Sequence, residues 1–420
     1  MNTLEPGQSV GRNAVAPLAA ATRDFRVVVL NGARQSGKTT MLRELQLSEG
    51  GVFVTFDDAA VLAAARADPV GFVDLDDRML IDEVQLGGDP LIRAIKAAVD
   101  RDPRPGRFVL AGSSQFLTVP GLSESLAGRA HIIDLWTLSQ GELEGTTERF
   151  IDDLFTGRPL RTPAVEAAPS RSDYLARACA GGFPEVLHRS TARGRSSWLA
   201  SYVRTVVQRD VAEVSQARYL DEMPRLLRYL AAMTAQELNA ARLAEQIGLA
   251  DDTVRRYLPI LETVYLVHRV PAWSRNLTAK VKKHPKVFLT DSGLAAHLLG
   301  TSAEALAVPG APAAGPLLET FVVNEIAKQQ TWADTAIRLH HFRDRDGAEI
   351  DLVLERDDGR VAGLEIKAAS TVTAKDFRHL ASVRDKLGDA FVHGVVLYAG
   401  ANRLSFGDRL TALPIASIWT

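Results

Sequence analysis

Short, nearly continuous apolar runs alternate with longer helix-like or polar segments in the first third of the chain. The runs cover residues 26–31, 51–56, 78–82, 108–112 and 131–135. Apolar runs of this length are typical of strands that are covered on both faces of a parallel sheet. Their alternation with helix-like segments predicts an α/β domain that ends near residue 145.

Two stretches rich in Pro, Gly and small residues interrupt the pattern, at residues 156–172 and 301–316. The pattern between them is mostly helical, and after the second stretch it becomes mixed. A chain of 420 residues is too long for one hydrophobic core, so we expect two or three domains. We predict an α/β domain over residues 1–155, a helical domain over 156–304 and a third domain over 305–420.

The bulk composition excludes few function classes. The chain has 49 Lys and Arg against 51 Asp and Glu, a net charge of −2, so any nucleic-acid surface must be local. The single cysteine, Cys179, excludes intramolecular disulfides and cysteine-based zinc sites and fits a reducing compartment. No stretch approaches the roughly 20 apolar residues of a membrane span, and no secretory signal is evident. We therefore expect a soluble, cytoplasmic protein without membrane contact.

Residues 32–39 match the pattern G-x-x-x-x-G-K-T, between a strand-like run and a helix-like segment. This pattern holds the phosphates of ATP or GTP, because backbone N–H groups and the start of the next helix point at the anion. Lys38 is expected to reach the β- and γ-phosphates, and the Thr39 hydroxyl to bind Mg²⁺. The predicted nucleotide-binding residues are Gly32, Ala33, Arg34, Gln35, Ser36, Gly37, Lys38, Thr39 and Thr40.

Two acids, Asp82 and Glu83, follow the apolar run at residues 78–82. In an ATPase built on such a loop, Asp82 holds the Mg²⁺ shell and Glu83 orients or deprotonates the attacking water. We therefore predict Mg²⁺-dependent hydrolysis, with Glu83 as the residue that carries it.

Two further polar positions are candidates for the same site. Ser113 follows the run at 108–112, with Ser114 and Gln115 beside it, and can sense the γ-phosphate or place the water. The alternative for these three residues is an ordinary strand end with turn residues. Arg129 precedes the last run and can neutralise phosphoryl charge in cis or across a subunit interface, with a surface arginine as the equal alternative.

The middle of the chain contains a helix–turn–helix pattern at residues 238–263, with Gly248 in the turn. The following 27 residues, 264–290, carry six basic residues and no acid. Such a segment suits the wing of a winged helix that contacts the phosphates of double-stranded DNA. The alternative is a structural lid or a subunit contact. The helical run from Trp198 ends in Arg209 and Asp210, which either place charge near the nucleotide or form a surface pair.

The last third of the chain carries the charged pattern of a nuclease-like site. Asp351 heads one strand-like run, and Glu365 and Lys367 lie in another, where period two puts both on one face. Asp351 and Glu365 would bind Mg²⁺, Lys367 would polarise the water, and Glu319 could complete the metal shell. The alternative is a binding module without cleavage.

The order of these motifs resembles that of a prokaryotic AAA+-type ATPase family over residues 25–400. The motifs are the phosphate loop, Ile81-Asp82-Glu83-Val84-Gln85, Ala111-Gly112-Ser113-Ser114-Gln115, Leu126-Ala127-Gly128-Arg129, Gly181-Gly182-Phe183-Pro184-Glu185, Gln208-Arg209-Asp210-Val211 and Leu364-Glu365-Ile366-Lys367. The resemblance implies an AAA-type ATPase followed by a domain of unknown function with a restriction-endonuclease-like core. The chain departs from that family at Ala33, where proline is common.

Three functions follow from these observations. The first is an ATP hydrolase whose nucleotide state repositions the winged-helix and nuclease-like portions against a partner, most plausibly DNA. The second is a metal-dependent DNA nuclease that ATP regulates. The third is an ATP-gated assembly protein that does not contact DNA. We expect a homo-oligomer, because AAA-type relatives commonly form rings.

Overall fold

The computed structural model describes residues 4–5, 9–76, 78–112, 126–212, 220–274, 284–344 and 347–420. The first domain is built on a five-stranded parallel sheet with the order β2-β3-β4-β1-β5. Its strands are β1 (Val27–Gly32), β2 (Val52–Thr55), β3 (Met79–Asp82), β4 (Phe108–Gly112) and β5 (Ala130–Leu135). The predicted α/β domain and its five strands are confirmed.

Both faces of this sheet are covered, which explains the unbroken apolar runs. In β1, Val27 and Val29 pack into one apolar cluster, whereas Val28 and Leu30 pack into a second cluster on the opposite face. The surrounding helices are α1 (Val15–Asp24), α2 (Lys38–Glu49), α3 (Ala59–Ala67), α4 (Pro69–Val73) and α5 (Gly88–Arg101). All five sheet strands run parallel, so their carboxyl ends share one edge of the sheet.

The middle of the chain is helical, as its sequence pattern predicts. Its helices are α6 (Gln140–Glu144), α7 (Phe150–Thr156), α8 (Arg171–Ala180), α9 (Pro184–Leu187), α10 (Ala192–Thr205), α11 (Met223–Ala232), α12 (Ala240–Ile247), α13 (Asp251–Thr263), α14 (Ser292–Leu299) and α15 (Ala303–Ala307). A six-residue π-helix, Val206–Val211, directly continues α10. The helix pair α12–α13 is joined through Gly248, whose φ of +66° ends α12.

A small antiparallel sheet follows this helix pair. Its strands are β6 (Gln236–Glu237), β7 (Val267–Val270) and β8 (Lys286–Leu289), in the order β6-β8-β7. Most of the predicted basic segment lies between β7 and β8. Residues 275–283 of that segment are outside the described residues.

The last part of the chain is a six-stranded mixed sheet, with the order β13-β14-β12-β11-β10-β9. Its elements are α16 (Ala314–Gln329), β9 (Ile337–Arg343), β10 (Glu349–Arg356), β11 (Val361–Lys367), α17 (Arg378–Leu387), β12 (Phe391–Tyr398), β13 (Leu404–Ser405) and β14 (Leu410–Pro414). Val395 and Leu397 of β12 face the same cluster as α16, and Val396 faces the cluster of α17. The prediction of a restriction-endonuclease-like core remains a prediction.

The two predicted linkers differ in structure. Residues 157–170 contain only one short 3-10 turn, Val165–Ala167, as expected of a linker. The stretch at 301–316 instead contains all of α15 and the start of α16, so the prediction of an irregular linker there is wrong. Its alanines favour helix, and Pro316 is tolerated because it lies in the first turn of α16.

One apolar cluster crosses the three parts of the chain. It contains Ala33 from the phosphate loop, Tyr202 and Val206 from the helical part, and Val395 and Trp419 from the last part. Because these side chains share one core, the parts pack against each other as well as within themselves. None of the helices in the described ranges combines the length and apolar character that a membrane crossing needs.

Candidate active site

The phosphate loop leaves β1 at the carboxyl edge of the parallel sheet and enters α2 at Lys38. Gly32 has a φ of +154°, and a Cβ there would lie 2.3 Å from the Leu135 carbonyl oxygen of β5. Only glycine fits that position without moving the neighbouring strand. Gly37 is left-handed at the start of α2, with a φ of +101°. The two motif glycines therefore shape the loop in the way the pattern requires.

The Lys38 ammonium is folded over this loop. It is buried, and Nζ donates to the carbonyl oxygens of Gly32 at 3.0 Å and Ala33 at 2.8 Å. Burial lowers the pKa of Lys38 to about 8, although the nearby carboxylates of Glu83 and Asp82 act in the opposite direction. A buried ammonium whose hydrogen-bond acceptors among the described residues are two neutral carbonyls is well prepared to bind an anion.

Thr39 and Asp82 meet although they lie 43 residues apart. The Thr39 hydroxyl donates to Asp82 Oδ2 at 2.6 Å, and the backbone N–H of Glu83 donates to Asp82 Oδ1 at 3.0 Å. A hydroxyl and a carboxylate are oxygen ligands that Mg²⁺ accepts together with phosphate oxygens. The structure thus brings together the two residues predicted to hold Mg²⁺, and their donor set fits that ion.

Glu83 is the first residue after β3 and has a left-handed backbone, with a φ of +52°. A non-glycine residue in this region is strained by about 1–2 kcal/mol. The Gln85 side-chain amide donates to Glu83 Oε2 and holds the carboxylate. Since Glu83 also acts electrostatically on Lys38, its carboxylate lies close to the phosphate site. The strain and the nearby charge are both compatible with the predicted role.

The pairing of Arg34 with Asp210 was not predicted. The Arg34 guanidinium forms a two-pronged ion pair with Asp210, at 2.9 Å and 3.1 Å. Asp210 is buried and lies in the π-helix, so the surface-pair alternative is wrong for this residue. π-Helical turns occur frequently at functional sites. The motif Gln-Arg-Asp-Val marks Asp210 as a candidate functional residue in the sequence. Nothing in the sequence indicates that its partner is Arg34 of the phosphate loop.

Arg12 is a second contact that no motif indicated. Its Nη1 donates to the Ser36 carbonyl at 2.7 Å, its Nη2 to the Trp136 carbonyl at 2.8 Å, and its Nε to Glu142 at 2.9 Å. Arg12 therefore supports the outer side of the phosphate loop. The Ser36 hydroxyl is buried and has no hydrogen-bond partner among the described residues. An orphaned hydroxyl within the loop is consistent with a missing ligand.

Two predicted catalytic residues have different outcomes. Arg129 lies at the amino edge of the sheet, where its carbonyl accepts the N–H of Val27, the first residue of β1. Its guanidinium is paired with Asp100 at 2.6 Å and 3.1 Å. The role in cis is therefore wrong, because the phosphate loop lies at the opposite edge. Ser113, with Ser114 and Gln115, lies outside the described residues.

The predicted nuclease-like residues lie together at the C-terminal sheet, but an unpredicted lysine lies among them. Lys286 of β8 places Nζ 2.8 Å from Glu319, 3.0 Å from Glu349 and 3.4 Å from Asp351. Lys286 is almost fully buried, with its side chain 3% exposed. We refer to Glu319, Glu349, Asp351 and Glu365 as the carboxylate cluster.

Lys367 is the second cation of this region. It pairs with Glu365 at 2.7 Å, and the N–H of Ile366 donates to Asp351 Oδ2 at 2.8 Å. Burial first and the neighbouring Asp351 second raise the pKa of Glu365 to about 7 and the pKa of Glu319 well above its ordinary value. These two carboxyl groups are therefore protonated more readily than exposed ones.

This arrangement does not fit a metal ion as it stands. Within the described ranges, no group of three or more His, Cys, Asp or Glu side chains is arranged to hold one. At the carboxylate cluster, the central position between the oxygens belongs to the Lys286 ammonium. The predicted metal role of Glu319, Asp351 and Glu365 therefore remains a prediction. It requires that the Lys286 ammonium move out of its position beside Glu319 and Asp351.

The basic segment at residues 264–290 is less exposed than its sequence indicates. Arg269 pairs with Glu262 at 2.7 Å, and Lys286 is buried in the carboxylate cluster. Lys286 is therefore not available to a phosphate backbone. The prediction that it is one of six basic residues in contact with DNA phosphates is wrong for this lysine. Arg275, Lys280, Lys282 and Lys283 lie outside the described residues. On α13, Arg255 and Arg256 are exposed.

Family comparisons divide the chain into three parts. Residues 24–144 match the family described as AAA domain. Residues 171–305 and 314–418 match two families described as domains of unknown function, DUF8612 and DUF4143. The AAA-type ATPase identity of the N-terminal domain is thereby confirmed, whereas the nuclease-like identity of the last part is not.

Two curated relatives match almost the whole chain. They are the uncharacterized proteins Rv2008c of Mycobacterium tuberculosis and Mb2031c of Mycobacterium bovis. Each is 30% identical over 412 residues, which cover 97% of this chain and 84% of the relative. A third, from Haemophilus influenzae, is 22% identical over 66% of this chain and 70% of its own length.

Solved structures show a weaker likeness. The Walker-type ATPase PABY2304 of Pyrococcus abyssi is 13% identical, with a TM-score of 0.42 over 71% of this chain and 98% of that chain. The Holliday junction branch migration motor RuvB of Thermotoga maritima is 18% identical, with a TM-score of 0.29 over 62% of this chain and 90% of that chain.

Proposed function

The chain belongs to the family of the mycobacterial proteins Rv2008c and Mb2031c, and we propose that it binds ATP with Mg²⁺ and hydrolyses it. The observation that carries this proposal is the meeting of three side chains at one sheet edge. Lys38 is folded over the phosphate loop, and the Thr39 hydroxyl contacts Asp82 at 2.6 Å. This combination supports the binding of a phosphate chain together with a hard cation.

Each residue then has a defined task. Mg²⁺ would neutralise charge on the β- and γ-phosphates, and Thr39 and Asp82 would hold it. Lys38 exchanges the carbonyls of Gly32 and Ala33 for phosphate oxygens. Glu83 orients the attacking water and accepts its proton, while Gln85 fixes the Glu83 carboxylate.

We further propose that the nucleotide state repositions the helical and C-terminal parts. The ion pair between Arg34 and Asp210 supports this step, because it joins the phosphate loop to the π-helix. Phosphates compete with Asp210 for the Arg34 guanidinium, so binding changes what holds that helix. Ala33 packs in the same apolar cluster as Tyr202, which gives the loop a second contact to the helical part.

Double-stranded DNA is the partner that we propose for the moving part. Helices α12 and α13, joined by a glycine turn and followed by β7 and β8, are compatible with a winged helix. Arg255 and Arg256 are exposed on α13, which is the second helix of the pair. Exposed arginines on that helix can contact phosphates or base edges. We also propose that the protein acts as a homo-oligomer.

The test is steady-state release of phosphate from ATP by the purified chain. We expect Glu83→Gln to stop turnover and keep ATP binding, since only the water-activating carboxylate is lost. Lys38→Ala should abolish binding. Glu166→Gln is the matched control, because Glu166 is an exposed glutamate in the linker between α7 and α8. Equal turnover in the wild type and Glu83→Gln would refute the role of Glu83.

Duplex DNA added at two salt concentrations tests the partner. We expect stimulation of turnover that fades as salt rises, because phosphate contacts release counter-ions. Arg255→Gln with Arg256→Gln should reduce the stimulation and leave the basal rate unchanged. Turnover that is indifferent to DNA would contradict this part of the proposal and favour a protein partner or self-assembly.

The nuclease alternative has its predicted residues together at the C-terminal sheet, but a lysine lies among them. A cleavage site of this type needs a divalent cation between the carboxylates of Asp351 and Glu365. The Lys286 ammonium already contacts Asp351 there. The arrangement with Lys286 in this position therefore does not favour cleavage.

A further inference from the structure

Lys286 joins two parts of the chain through buried charge. It is the first residue of β8, in the small sheet that follows the helix pair, whereas its three carboxylate contacts belong to the C-terminal part. Glu319 comes from α16, and Glu349 and Asp351 come from the start of β10. The ammonium therefore occupies the point at which carboxylates from two separate elements converge.

The carboxylate cluster has more carboxylate groups than lysines. Its four carboxylates have two lysine ammonium groups beside them, those of Lys286 and Lys367. In addition, Glu365 Oε2 is buried and has no hydrogen-bond partner within the described residues. Oxygen donors in excess of local cations are the ligand set that hard divalent ions select. The cluster is thus chemically suited to a cation and already contains one.

Backbone contacts hold β8 and its lysine against the C-terminal sheet. The N–H of Trp273, just after β7, donates to the His341 carbonyl of β9 at 2.6 Å. The N–H of His341 in turn donates to the Pro271 carbonyl at 2.9 Å, and the His341 ring contacts the His284 carbonyl at 3.0 Å. These contacts keep the start of β8, and with it the backbone of Lys286, next to β9.

We propose that the Lys286 ammonium is a built-in counter-ion that occupies the cation position of the carboxylate cluster and excludes divalent cations while β8 is docked. The exclusion is steric as well as electrostatic. A metal ion would need the same oxygens at roughly 2.0–2.6 Å, in the volume that Nζ fills. This inference concerns the docked chain without nucleotide and does not rest on ATP hydrolysis.

The test measures Mn²⁺ binding to the full-length, nucleotide-free chain, with Mn²⁺ alone as the probe. Free Mn²⁺ is followed by electron paramagnetic resonance in the wild type, Lys286→Gln and Lys286→Met. We expect each folded variant to bind one more Mn²⁺ per chain than the wild type. Lys286→Arg is the matched control, because it keeps a cation at the same position and should gain no site.

A second substitution assigns the new site. Adding Asp351→Asn to Lys286→Gln should weaken the gained Mn²⁺ binding by about tenfold or more, because one ligand and one charge are lost. Thermal unfolding supplies a readout that does not depend on stoichiometry. Mn²⁺ should raise the Tm of Lys286→Gln and leave that of the wild type unchanged.

Two outcomes would overturn the proposal. The first is a folded Lys286→Gln or Lys286→Met chain that binds no more Mn²⁺ than the wild type, which would make Lys286 a structural ion-pair partner only. The second is wild-type Mn²⁺ binding that Asp351→Asn abolishes, since the lysine would then coexist with the metal. Absence of ATP turnover in the wild type would refute the proposed function and leave this result unaffected.

Discussion

The affinity for ATP should fall as pH rises from 7 to 9, because a neutral Lys38 cannot hold the phosphates. In the nucleotide-free chain, burial lowers the pKa of Lys38 to about 8 from the ordinary value of 10.5. Bound phosphates stabilise the charged ammonium, so binding takes up a proton wherever Lys38 was neutral. With the free pKa near 8, the charged fraction falls from about nine-tenths at pH 7 to about one-tenth at pH 9. The dissociation constant for MgATP should therefore rise about tenfold, or about 1.4 kcal/mol.

Isothermal titration of MgATP into Glu83→Gln measures this affinity without turnover. Lys38→Arg is the control, because arginine stays charged throughout this range and should give a flat profile if it binds. A flat profile in a chain that retains Lys38 would refute the reasoning, since the lysine would then be fully charged before ATP arrives.

The same pKa has a consequence for stability, with a definite sign. The folded chain binds fewer protons at Lys38 than the unfolded chain between pH 8 and 10.5, so this group makes the free energy of unfolding rise with pH there. The difference between the two pKa values corresponds to about 3 kcal/mol. Binding of phosphates beside Lys38, as proposed above, would offset this cost by stabilising the charged ammonium.

Three further predictions concern single positions. Asp210→Asn should lower the free energy of unfolding of the nucleotide-free chain, measured in urea, by about 2 kcal/mol. Saturating MgATP should reduce that loss, because phosphates replace Asp210 at Arg34. An equal loss with and without MgATP would contradict the competition between Asp210 and phosphates for Arg34. Gly32→Ala should weaken ATP binding by about tenfold or more in a calorimetric titration, because the new Cβ would lie 2.3 Å from the Leu135 carbonyl oxygen. An unchanged affinity would show that β5 can move away from the added Cβ at little cost. Burial raises the pKa of Glu148 to about 7 from 4.5, so the free energy of unfolding should fall by about 2–3 kcal/mol between pH 4.5 and 7. In urea titrations, Glu148→Gln should reduce this dependence on pH. An unchanged dependence in the variant would mean that other groups cause it.

The first domain was predictable because its signals are local. The strands are mostly short apolar runs, and the loop pattern fixes which sheet edge holds phosphate. Thr39 and Asp82 could be paired in advance, because the loop before Thr39 leaves the carboxyl end of β1 and Asp82 is at the carboxyl end of β3, and both strands belong to one parallel sheet, with β4 between them. Arg129 shows the limit of this reasoning, because an arginine before a strand lies at the edge away from the loop.

The contacts between distant parts could not be predicted. Asp210 pairs with Arg34 across 176 residues, and Lys286 meets Asp351 across 65 residues. No motif or period in the sequence links the two members of either pair, because the packing of separate elements brings them together. The sequence pattern places Lys286 among six basic residues, since the charge of a residue does not reveal its burial.

The apolar cluster around Ala33 has a mechanical consequence. Close-packed interiors are stiff and transmit displacement, because their side chains have no empty volume to move into. Ala33 of the phosphate loop belongs to the same apolar cluster as Tyr202 and Val206, so a shift of the loop at Ala33 is expected to displace the helices of that cluster. The cluster works as a rigid linkage between the loop and the parts beyond it. Softening that linkage with a cavity would weaken the response of the distant parts to nucleotide even where the affinity for nucleotide is intact.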